Sequence, residues 1–160
     1  MEHTEPRPTA PILTVCCQLH PKPHDPHHPF PPTAHPPSVS LIERYIAAWR
    51  EHDVAGILDT LTRDCLVIES FGPVYRGHHW IEQWVPTWCG EGGRVIAWTI
   101  RDLRCFPDIE VAEWHFHYSW RGEEQRFDGS TIARLRDGKI AYLREYATTA
   151  DLYDWQGRFR

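Results

Sequence analysis

Three kinds of residue in this chain have types and spacing that can do chemistry: a carboxylate in apolar surroundings, closely spaced histidines, and thiols. Glu69 lies between Val67-Ile68 and Phe71. Apolar neighbours raise a carboxyl pKa and strengthen it as a base, able to take a proton from carbon beside a carbonyl. That reaction also needs donors at the oxygen that becomes negative, and Tyr45 and Thr131 can donate if the fold brings them to Glu69. Each has a plainer reading: a solvated strand end for Glu69, a core hydroxyl with its own partner for Tyr45, and packing for Thr131. His115 and His117 form an H-x-H pair that can ligate a metal from one strand face, with Glu113 on the same face. No third ligand is near in sequence, and the other reading is a semi-polar sheet face buried between two copies of the chain. His78-His79 opens a helical stretch, where capping or exposure is expected. Cys65 and Cys89 have no base beside them, so a nucleophilic thiol is not expected.

Bulk composition narrows the classes further. The chain has 160 residues, 41% of them hydrophobic, with eight tryptophans and a formal net charge of -5. That suits one domain with an added tail. A mildly acidic chain lacks the basic face that phosphate backbones require, so nucleic acid is not an expected partner. The five cysteines are odd in number and none is in CxxC spacing, so neither a disulfide framework nor a zinc knuckle is indicated. A reducing, cytoplasmic setting is the expectation. No stretch has the length of a membrane span, and the opening MEHTEPRPTAP lacks the basic-then-apolar order of a signal peptide. A membrane is therefore not an expected partner, and no metal or organic cofactor is expected.

The elements that must position these residues begin after a change of composition. Most of the 14 prolines and over half of the 11 histidines precede Ser38. Pro31-Pro32 and Pro36-Pro37 suit neither a helix interior nor a central strand. Residues 1–38 are expected to form a disordered leader, 39–155 the folded domain, and 156–160 a short tail. SVSLIERYIAAWREHD has the period of an amphipathic helix, with Ser38 or Ser40 as its cap. Asp53 opens a second helix, VAGILDTL. CLVIES reads as a short strand, FGPVYRG as a turn-rich crossing, and HHWIEQWVPTWCG as a third helix bent or ended by Pro86. Three long strands follow: RVIAWTIRDLRCF, IEVAEWHFHYSW and EQRFDGSTIARLR. Asp137-Gly138 is a hairpin turn leading to a last strand, KIAYLREYATTA. Asp154-Trp155 is placed in a tail able to fold back on the sheet. Helices, a short strand, a helix and then an antiparallel meander make an α+β fold: a cone-shaped, curved antiparallel sheet packed on three N-terminal helices, with a pocket at its open end.

LIERYIAAWREHDVAGILDTLTRDCLVIES resembles the opening of ketosteroid isomerases and, more broadly, of the nuclear-transport-factor-2-like superfamily with its SnoaL-like polyketide cyclases. YRGHHWIEQW resembles that family's turn into its third helix, and DGKIAYLREY its last hairpin. The resemblance runs from about Ser40 to Thr149. It implies a cystatin-like α+β barrel around a small-molecule pocket, with a hydrophobic carbonyl compound as ligand, no cofactor, and a homodimer through the outer sheet face. Residue by residue, it puts Tyr45 at an oxyanion-donor position and Glu69 at the position of the base. Thr131 falls where the isomerases carry a protonated aspartate and the cyclases their acid/base aspartate. Threonine donates a hydrogen bond but is no acid near neutral pH.

With Thr131 facing the pocket, strand alternation turns Phe127, Gly129 and Ala133 inward, and Asp128 and Ser130 away. The family register turns Trp114, Phe116 and Tyr118 inward, with Glu113, His115 and His117 outward. On the last strand Leu143, Glu145 and Ala147 face in. Glu145 is thus a second candidate catalytic carboxylate, at a position where the isomerases have none; its other reading is an ion pair with Arg144 or Arg134. Trp49, Trp84 and Trp98 are expected to line the pocket with Thr131, Trp114, Phe116, Tyr118, Phe127 and Leu143. The reaction class so implied is an isomerase, cyclase or dehydratase, and the alternative is an apolar-ligand binder or a dimerisation module without catalysis.

Overall fold

The computed structural model describes residues 39–150 and 154–157. The leader, with its histidines, Cys16, Cys17 and Ser38, lies outside the described residues. α1 (Leu41–Arg50) begins at Ser40, whose hydroxyl accepts from the Glu43 backbone N–H while the Glu43 carboxylate accepts from the Ser40 N–H, each at 3.0 Å. This reciprocal capping box satisfies two donors that a helix start leaves open. The apolar stripe Leu41, Ile42, Tyr45, Ile46 and Trp49 is buried. A buried acid on the sheet completes the start: Glu110 accepts from the Leu41 and Ile42 N–H groups at 3.1 and 2.9 Å. A negative charge at a helix N-terminus also complements the helix dipole.

α2 (Val54–Thr60) is capped by Asp53, which accepts from the Gly56 N–H. It stops where the Thr60 hydroxyl donates to the Ile57 carbonyl, and β1 (Leu61–Ile68) starts at once. The strand is therefore longer at its N-terminal end than CLVIES implied: Leu61 is already buried and pairs with Ile140. Val74–Arg76, expected as part of a turn-rich crossing, forms the short strand β2 antiparallel to β1. α3 (His78–Gly90) keeps its helical form through Pro86 and buries Ile81 and Val85.

The long strands are β3 (Arg94–Cys105), β4 (Ile109–Trp120), β5 (Glu123–Arg136) and β6 (Lys139–Ala147). The sheet order is β2-β1-β6-β5-β4-β3. The meander β3–β6 is antiparallel as its hairpin signals indicate. Arg121-Gly122 and Asp137-Gly138 both place two consecutive residues at positive φ, the backbone form of a two-residue hairpin whose twist matches its strands. β1, however, lies parallel to β6, so the curved, unclosed sheet is mixed. The reason is the crossover: α3 and three long strands intervene, which frees β6 to return beside β1 in the same direction. Register breaks in the β3–β4 and β5–β6 ladders add local bends. Trp155, in the C-terminal segment, is 65% exposed. Among the described residues no helix is long and apolar enough to cross a membrane.

Candidate functional site

The even-numbered residues of β4 and the odd-numbered residues of β5 turn toward the helices, as burial along both strands shows. Trp114, Phe116, Tyr118 and Phe127 thereby come to one end of the concave face. α1 brings Tyr45 and Trp49 over them, and α3 brings Trp84 and Trp88, one helical turn apart. Together with Trp98, Glu69, Ser70, Phe71 and Glu145 they line a chamber with a cavity volume of about 60 Å³. That is space enough for a few waters or a small organic group. The tryptophans wall the space without filling it.

The wall is aromatic and interlocked. Trp84 stacks on Tyr75 at 4.1 Å, and Trp49 tilts against Trp84 at 4.6 Å. Trp98 lies 4.8 Å from Phe116, which stacks on Tyr118 at 5.0 Å. Such contacts hold rings in place beyond the effect of area burial. At the rim, the turn after β1 is closed by hydrogen bonds from the Glu69 N–H to the Pro73 carbonyl and from the Gly72 N–H to the Glu69 carbonyl. Gly72 adopts φ 109, a conformation that side chains resist. This turn fixes Glu69 in the lining and leaves Phe71, 62% exposed, beside Phe127.

The two carboxylates share this largely apolar space. Glu145 is only 8% exposed, and burial pushes its carboxyl up to about 8. Glu69 is half-buried by surface, yet the rings around its carboxyl desolvate it. That burial, with the nearby Glu145 charge, holds it well above the ordinary carboxylate range. Neither arginine that was an alternative partner for Glu145 reaches it: Arg134 lies over Tyr142 and Arg144 over Tyr146. Burial foremost, then the Glu145 charge, raises the Tyr45 phenol. The Trp49 indole pulls the other way but makes no hydrogen bond of ordinary geometry. Tyr45 therefore stays a neutral donor. The indole N–H groups of Trp49 and Trp98 are buried without partners in the same wall.

Tyr45, Glu69, Glu145, Trp49, Trp84, Trp98, Trp114, Phe116, Tyr118 and Phe127 thus come together in the lining. Thr131 and Leu143, expected to line the pocket, are not in that lining. Thr131 is buried behind Trp114 and accepts the indole N–H at 2.8 Å. Leu143 is fully buried where β6 passes β1, beside Val67. Ser70 and Phe71 were not expected to line the chamber; Phe71 follows Glu69 at the two-residue interval of a strand, but the Gly72-Pro73 pair made the segment read as a turn. Trp88 lines the chamber too, one turn after Trp84 on the same helix face. On the outer face His115 donates to Asp128 at 2.8 Å, and His117 pairs with Glu124 at 3.1 Å. Among the described residues no three metal-capable side chains cluster.

A family profile described as "SnoaL-like domain" matches residues 42–143. No curated protein matches the chain. Among solved structures, one similar fold is a protein of ketosteroid isomerase-like fold from Catenulispora acidiphila in complex with trimethylamine. It has 18% identity and a TM-score of 0.59 over 68% of this chain and 85% of that one. An epoxide hydrolase from M. tuberculosis aligns with 15% identity and a TM-score of 0.60, over 68% and 80% of the two chains. An NTF2-like protein from Burkholderia thailandensis aligns with 18% identity and a TM-score of 0.58, over 68% and 88%.

Proposed function

The chain belongs to the SnoaL-like domain family, and from that premise we propose that its aromatic chamber carries out cofactor-free proton transfer on a hydrophobic carbonyl compound. The observation that carries this reading is the pair Glu69 and Glu145, two unpaired carboxyls beside the Tyr45 phenol in one apolar space. Two interacting buried acids titrate as a unit. With both raised, one carboxyl ionises while the other keeps its proton, which supplies a base and an acid at one pH.

Glu69 is the base in this scheme: the two acids share one proton, and with that proton on Glu145 the remaining charge sits at the rim, where water supports it. Its carboxylate takes the proton from the carbon beside the carbonyl, and the C–H electron pair moves toward the carbonyl oxygen. Tyr45 and protonated Glu145 donate to that oxygen as it gains charge. Both side chains line the same chamber, so a carbonyl oxygen placed between them can accept from each. Each such donor typically contributes about 3 kcal/mol to the transition state. The unpartnered indoles of Trp49 and Trp98 are further donors within the wall. Glu69 then returns the proton, to the same carbon or another. Isomerisation, cyclisation and dehydration all contain this step.

The test is exchange of substrate α-protons for solvent deuterium across a panel of enones and polyketide mimics. Exchange that depends on Glu69 supports the reading. Ligand-induced thermal shifts with no exchange anywhere in the panel would leave a binding protein instead.

A further inference from the structure

The lining has an excess of one charge sign. It holds two carboxyl groups and ten aromatic side chains, but no lysine, arginine or histidine. Buried carboxylates in proteins are normally paired, because taking a charge out of water is costly. Here the arginines of β5 and β6 are spent on tyrosines, Arg134 over Tyr142 and Arg144 over Tyr146. Among the described ion pairs, acids such as Asp59 and Asp128 have their cations, and neither Glu69 nor Glu145 has one. Among the described residues no countercharge to this chamber is present.

An aromatic enclosure favours one kind of countercharge. The negative faces of tryptophan, tyrosine and phenylalanine rings attract a cation whose body is apolar, and this attraction strengthens where water is excluded. A hydrated inorganic cation gains little from ring faces, whereas an alkylated ammonium loses little hydration and fills the space between them. Trp49, Trp84, Trp98 and Phe116 surround the volume into which both carboxyls open.

Taking the chamber as the ligand site, as in the function proposed above, we propose that its substrate is a carbonyl compound carrying a protonated tertiary or quaternary amine. The ammonium sits against the aromatic wall and supplies the charge that Glu69 and Glu145 lack. Its presence also favours ionisation of the carboxyl that acts as base.

The experiment compares choline with 3,3-dimethylbutan-1-ol, its neutral isostere, by titration calorimetry on the full chain. Choline is expected to bind at least about tenfold more tightly. The gap should widen between about pH 6 and about pH 9, as the carboxyls ionise, and the widening should shrink in Glu145→Gln. Should that variant fail to fold, the wild-type pH dependence carries the same test, since the alcohol's affinity should stay flat while choline's rises. Equal affinity, tighter binding of the alcohol, or no choline binding overturns the assignment. Choline preference without proton exchange on any carbonyl compound supports the cation site and removes the enzyme reading. Exchange on neutral ketones with no choline preference does the reverse.

Discussion

Thr131 and Glu145 stand directly opposite each other across the β5–β6 ladder, and they divide two tasks between them. The Thr131 hydroxyl turns to the Trp114 indole and holds that ring in the chamber wall. Glu145 turns its carboxyl into the chamber itself. Position 131, where the family resemblance leads one to seek an acid, thus stands level with a chamber carboxyl on the next strand.

Thr131→Val should leave the Trp114 N–H buried without an acceptor. The expected loss is about 1 to 3 kcal/mol of stability in urea unfolding, with proton-transfer activity per folded molecule kept within about threefold of wild type. A hundredfold fall in activity at unchanged stability would instead make the hydroxyl part of the chemistry.

Glu145→Gln should gain stability relative to wild type as pH rises. The folded state holds the Glu145 carboxyl up to about 8, against about 4.3 in an unfolded chain. Between those values the native state binds the extra proton, so wild-type stability falls with rising pH, by at most about 1.4 kcal/mol per pH unit for this group. Glutamine has no proton to lose and escapes that fall. Paired urea titrations at about pH 5 and pH 8 check the sign; a variant that loses stability relative to wild type over that range contradicts it.

Glu110→Ala removes the acceptor for two backbone N–H groups at the start of α1. A loss of about 1 to 3 kcal/mol is expected, read as a lower urea midpoint. Because α1 carries Tyr45 and Trp49, activity should vanish only as the protein unfolds, and activity per folded molecule should be near wild type.

Gly129→Ala tests the seat of Trp114. A methyl group there meets the Trp114 ring and the Tyr146 carbonyl, and the backbone contact cannot swing aside. Destabilisation of about 1 to 3 kcal/mol is expected, together with a shift in tryptophan emission as the Trp114 ring is displaced. Unchanged emission and stability would mean that the close approach of ring and strand has no structural weight.

Much of this site was legible in the sequence because it depends on period-two alternation. Once IEVAEWHFHYSW and EQRFDGSTIARLR are strands, Trp114, Phe116, Tyr118 and Phe127 must share a face, and the Asp137-Gly138 hairpin sets where Glu145 stands. Alternation assigns a face but not a depth along it. Thr131 and Leu143 lie on the inward face yet behind the chamber, and only the bulk of Trp114 and the passage of β1 beside β6 put them there. The parallel β1–β6 pairing was equally hidden, since it joins segments far apart in the chain. Phe71 was missed because Gly72-Pro73 signals a turn, and a turn's side chains have no fixed side.

The central claim is that Glu69 takes a proton from carbon, and deuterium incorporation followed by proton NMR tests it most directly. Wild type and Glu69→Gln would be compared at equal folded concentration, with the ketone that wild type exchanges fastest. Wild type should exchange, and Glu69→Gln should lose at least about a hundredfold, with the urea midpoint retained. Exchange by Glu69→Gln at the wild-type rate would contradict the claim.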